Sequence, residues 1–101
     1  MLFLCWFCAR FVQKETVFIH IEALRLYETV GSRSRQGISL KYLGRALHQH
    51  GDYEEAMAML RRAYELSLEL QNCTEQAVAL NNLGSLALNW PQAGNPLRLK
   101  Q

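Results

Sequence analysis

Proline is scarce in this chain. The only two, Pro91 and Pro96, sit with Gly94 near the end and disfavour a helix after Trp90. Cysteine is scarce too, and Cys5, Cys8 and Cys73 make an odd set. That excludes the even, dense framework of a small disulfide-stapled secreted protein and points to reduced thiols in a reducing, cytoplasmic compartment. The Asn72-Cys73-Thr74 glycosylation sequon matters only in a secreted protein, which nothing else suggests. Excess charge is missing: eleven Lys and Arg face nine Asp and Glu, with no dense basic tract, so nucleic acid is not an expected partner. A membrane-length apolar run is missing as well. The opening MLFLCWFCARFV is broken by Arg10 and followed by Gln13, Lys14 and Glu15, short of the ~20 residues a span needs. It also lacks the basic start and small-residue end of a signal peptide. A buried or half-buried helix over 1–12 is the first expectation, and an interfacial anchor the second. No phosphate loop, nucleophile elbow or paired carboxylate with a base appears, so neither an enzyme nor a cofactor is expected.

What remains is helical patterning in a chain of one-domain length, with half its 101 residues apolar and a fifth charged. Leu40, Leu43 and Leu47 recur at helical spacing over Ile38–His50, with Gly44 inside the stripe. An interior helical glycine costs roughly 1 kcal/mol against alanine, a cost best tolerated where a neighbouring helix approaches closely. Gly51 suits a helix end, and Asp52 with Glu55 suits the start of the next helix near Tyr53. That second helix carries Ala56, Leu60 and Ala63, with Met59, Leu66 and Leu70 beside them, and runs to about Glu69 or Leu70. A third helix, with Thr74 as its expected N-cap, carries Leu80, Leu83, Gly84 and Ala87. The short turn makes the first two antiparallel neighbours.

Shifting the sequence by about forty residues brings Gly44 onto Gly84, Ala63 onto Ala23 and GSRSRQGISLKYLG onto QNCTEQAVALNNLG. A period in this range marks a stacked array. The expected organisation is an apolar helix or replacement cap over 1–12 and the second helix of a partial first repeat over 13–32. A complete repeat over 33–72, the first helix of a truncated third repeat over 73–90 and an irregular tail over 91–101 follow. The fold class is all-α: antiparallel helix-turn-helix repeats stacked as a short right-handed α-solenoid fragment.

Leu43-Gly44 with Leu47, followed by Asp52-Tyr53 and by Ala56, Leu60 and Ala63, resembles the tetratricopeptide repeat family. Leu83-Gly84 repeats the start of the pattern, with Ala87 in place of the large residue. The forty-residue spacing resembles the long-repeat subclass, as in Pins-type scaffolds, kinesin light chains and bacterial regulatory arrays. The resemblance implies a protein-interaction module with first helices lining a concave surface. It places Lys41, Arg45 and His48 there, with Asn81, Asn82, Ser85 and Asn89 on the next inner helix. Helical spacing independently groups Lys41 with Arg45 and His48, and Asn82 with Ser85 and Asn89. Cations beside amides suit an acidic or C-terminal peptide, since arginine grips carboxylates bidentately and asparagine amides both donate and accept. A merely solvated helix face is the competing expectation.

With no later helix to cover Leu80, Leu83 and Leu86, the chain is expected either to be a piece of a longer array or to pair with itself. Two other readings stay open. Cys5-Trp6-Phe7-Cys8 is a C-x-x-C of the kind found in redox and zinc sites, and the first twelve residues could act as an interfacial anchor. Against metal, Cys73 and His20 are isolated and His48-x-His50 points to two sides of a helix, so no metal is expected. Arg33 and Arg35 are expected in a linker, and Arg61-Arg62 on an outer, solvated face.

Overall fold

A computed structural model describes residues 2–91, with side chains from 15 onward. It contains four helices: α1 (Leu2–Val30), α2 (Arg33–His50), α3 (Tyr53–Glu69) and α4 (Cys73–Asn89). Among the described residues there is no strand, and the fold is an all-α stack of helices packed on their neighbours in chain order.

The three turns show why the chain folds back each time. Gly31 and Gly51 end α1 and α2 with φ of 77° and 97°, and Gln71 follows α3 with φ of 54°. Each left-handed residue leads into an N-cap: Ser32, Asp52 and Asn72. Only Asn72 caps with its side chain, its Oδ1 accepting from the Glu75 amide at 3.1 Å. The expected cap, Thr74, lies inside α4, because Asn72 already offers a good acceptor two residues earlier. Asp52 occupies the expected cap position, but its carboxylate meets His50 Nδ1 at 2.9 Å instead of the backbone.

The linker expected around Arg33 and Arg35 shrinks to Gly31-Ser32, since Ser32 starts α2 one turn earlier than the apolar stripe suggests. Arg33, now in the first turn of α2, pairs with Glu69 at the end of α3. Helix α1 is continuous from Leu2 to Val30, with no break near residue 12. No glycine or proline stands in that stretch to end a helix. The side chains that would form a cap over 1–12, and the tail from 92, lie outside the described residues.

The contacts fix the directions. Gln36 Nε2 donates to the Tyr27 carbonyl at 3.2 Å, and His20 stacks on Tyr42 at 5.8 Å, so α1 and α2 run antiparallel. Gly37 lies against Leu66 and Gly44 against Leu60, so α2 and α3 do too. For α3 and α4 the markers are Gln76 Nε2 donating to the Ser67 carbonyl at 3.4 Å and Tyr53 stacking on Trp90 at 5.9 Å. Gln36 to Tyr27 and Gln76 to Ser67 are the same bond, moved by forty residues. The repeat is therefore built into the packing as well as the sequence.

The core joins Leu24, Leu40, Leu43, Leu47, Ala56, Leu60, Ala63, Leu66, Leu86 and Trp90. Gly44 has the close approach its place predicts: a Cβ there would stand 2.6 Å from Leu60 Cδ2 and Cγ. Gly84 does not. Nothing lies within 4 Å of a Cβ built on it, and Leu80 beside it is 53% exposed. The expected Leu80, Leu83 and Ala87 stripe is thus not the buried one. Helix α4 buries Ala79 and Leu86 against α3, with Leu83 partly covered, because no helix follows it among the described residues.

Candidate functional site

Helices α2 and α4 lie side by side and parallel, bridged by Lys41 in the middle of α2 to Glu75 in the first turn of α4, and by His48 to Asn89 near both ends. Two depressions line this face. The first is an open trough lined by Arg45, His48, Gln49, Tyr53, Asn82, Ser85 and Asn89. Five of the seven residues expected from the resemblance thus meet in one place.

The trough's walls are polar and partly fixed. Asn89 Nδ2 lies 3.1 Å from His48 Nε2, which accepts if the imidazole is neutral. Burial lowers the His48 pKa from its ordinary value of 6.5, in keeping with that arrangement. Tyr53 holds the end of the trough, its ring 5.8 Å from His48 on one side and stacked on buried Trp90 on the other. Asn82 is the unusual member. Its Nδ2 is buried and has no hydrogen-bond partner. A buried donor left unmade costs about 1–3 kcal/mol, so its position calls for an acceptor. Arg45 is exposed and is paired with no carboxylate among the described residues.

Lys41 and Asn81 depart from expectation. The Lys41 side chain is only 14% exposed and its ammonium lies 3.3 Å from Glu75 Oε2, with the Tyr42 ring 5.1 Å away. Its charge is met within the chain, and it belongs to the neighbouring depression. Asn81 is exposed and lies outside the trough, one helical step round from Asn82. Sequence reasoning missed Tyr53 and Gln49 in the trough, and Glu75. Tyr53 stood in the turn motif and Gln49 between two histidines, and only the angle between helices shows that both face Asn82 and Asn89.

The second depression is a narrower notch lined largely by Gly37, Ile38, Ala63, Leu66, Leu70 and Ala79, with Lys41 and Glu75 also in its lining. Gly37, Ala63 and Ala79 in its lining are small, which leaves room for a side chain.

The other candidates resolve simply. Cys5 and Cys8 have side chains outside the described residues, and Cys73 is a free, exposed thiol. Among the described residues no group of His, Cys, Asp or Glu is placed to hold a metal, and no helix is long and apolar enough to cross a membrane. Arg62 reaches Glu28 of α1 at 3.8 Å, which ties two outer helices together.

The architecture defines a class, a helical repeat whose alternate helices recur at forty residues. The family follows: a tetratricopeptide repeat model matches residues 19–69, half of the chain, and the chain belongs to that family. Among curated proteins and among solved structures, no significant match is found. The family is one of protein-interaction scaffolds, and that is the broad role of this fold.

Proposed function

We propose that this chain captures an extended peptide along the α2/α4 face, with the trough taking its polar groups and the notch an aliphatic side chain. The observation that carries this reading is Asn82: a buried amide donor without a partner, set beside an unpaired Arg45. Turned outward about its side-chain torsions, the Asn82 amide would donate to a peptide carbonyl, and an acidic side chain or a C-terminal carboxylate would meet the guanidinium. Ser85 and Gln49 add adaptable hydrogen bonding along the same wall. We favour Arg45 over Lys41 as the cation that meets the acid, because Glu75 already neutralises Lys41.

The forty-residue spacing supports placement in the long-repeat subclass, and the odd cysteine count supports a reducing, cytoplasmic setting. Fluorescence anisotropy with a library of short acidic peptides tests the reading. Arg45→Ala with Asn82→Ala should weaken the best binder tenfold or more, since each lost contact to a charged or buried partner is worth about 1.5–3 kcal/mol. Lys41→Ala should change affinity less than twofold. Unchanged binding by the double variant refutes the proposal.

A further inference from the structure

Helices α2 and α3 show how this fold covers itself. Leu60 fills the space left by Gly44, and Leu66 lies against Gly37. Leu40 and Leu66 are 2% and 6% exposed. Forty residues away, both surfaces stand open. Leu80, in the place of Leu40, is 53% exposed, and Gly84, in the place of Gly44, has open space where a side chain would be. Leu26, in the place of Leu66, is 62% exposed. Ile19, in the place of the core-packed Met59, is 61% exposed. Helix α4 therefore carries a largely uncovered copy of the surface α2 buries, and α1 a partly uncovered copy of the surface α3 buries, with half-buried His20 standing where α3 has Leu60. They are the two halves of a single interface, on opposite sides of the stack.

We propose that a second copy of this chain occupies these surfaces. Helix α4 of one copy packs on α1 of the next, in the register α2 uses on α3, so that the interface already present within the molecule continues between molecules. That register sets Leu26 of the next copy against Ala77, as Leu66 lies against Gly37. It sets His20, in the place of Leu60, against the open space at Gly84, with Ile19 beside it. Charge does not oppose the contact. The only charged residue of α4 is Glu75, which is held by Lys41, and on α1 Arg25 pairs with Glu22 at 3.9 Å. Exposed apolar faces of this kind mark association sites. Because the pairing uses two different surfaces, it does not close at a dimer; each added copy presents a fresh pair of ends.

Sedimentation velocity with light scattering on the full chain tests this. The wild type should rise in mass above 11.6 kDa through successive multiples as concentration increases. Leu80→Asp blocks one surface and Leu26→Asp the other, so each variant alone should remain a monomer. Mixed in equal amounts, they should form a single species of twice the monomer mass, since each retains the surface the other has lost. A monomeric wild type, a single variant that still dimerises, or a mixture that stays monomeric overturns the proposal. Both positions are more than half exposed, so circular dichroism should show unchanged helicity. Lost helicity would mean the face is covered within the chain, and would overturn the proposal as well.

Discussion

A methyl group at position 44 would stand 2.6 Å from two carbons of fully buried Leu60, which would have to shift, and 3.4 Å from the Ala56 carbonyl oxygen. At position 84 the same methyl meets nothing. The two glycines thus predict opposite outcomes for one substitution. Gly44→Ala gains about 1 kcal/mol of helix propensity but forces overpacking of about 1–3 kcal/mol, so a net loss of up to about 2 kcal/mol is expected in dilute thermal melts. Gly84→Ala should stabilise by up to about 1 kcal/mol, because only the propensity changes. The histidines give a pH dependence of definite sign. Burial lowers the pKa of both His20 and His48, so the fold prefers their neutral forms. Their contribution is present above the unfolded value of ~6.5 and is lost as pH falls below it toward the lower folded values. Stability should therefore decline below pH ~6.5, and NMR titration should place both imidazoles under their ordinary value. That Gly44 is needed was readable from its place in a leucine stripe. That Gly84 is not was unreadable there, because sequence shows a helix its pattern but not whether a neighbour arrives.

Among the elements, the capping contacts separate helices that look alike in composition. Asn72 accepts from the Glu75 amide, whereas Ser32 and Asp52 occupy cap positions without a side-chain bond. Asn72→Ala should cost about 1 kcal/mol and Ser32→Ala only a few tenths, a ranking that urea unfolding of the two variants can measure. The central helices were legible because each has its own stripe and a left-handed glycine or a polar cap beside it. The start of α3 near Tyr53 was legible from Gly51-Asp52, whereas α2 and α4 begin ahead of Ile38 and Thr74, since apolar periodicity marks only where burial begins and a helix opens with a polar turn before that. The site was partly legible for a similar reason. Spacing three and four apart grouped Asn82, Ser85 and Asn89 correctly. It could not see that Glu75, thirty-four residues from Lys41, would claim that ammonium, because this depends on how α4 is rotated on α3.

At the scale of the whole molecule, each helix rests mainly on its neighbours in the chain, which is how linear arrays hold together. Helix α2 is covered on both flanks, while α1 and α4 each keep one open. Hydrogen exchange should accordingly be slowest across Leu40–Leu47 and faster by at least tenfold at the amides of α4, with α3 between them. An even protection pattern across all four helices would contradict that order. The slight direct contact between α2 and α4 has a further consequence. These two walls of the trough are joined through α3, with only the Lys41–Glu75 and His48–Asn89 pairs spanning the gap. The trough is therefore expected to open and shut like an accordion pleat whose fold line is α3, its width set by a tilt angle rather than by the position of a lid. Paired spin labels on the outer ends of α2 and α4 should report a broad spread of separations that narrows when the pleat is filled.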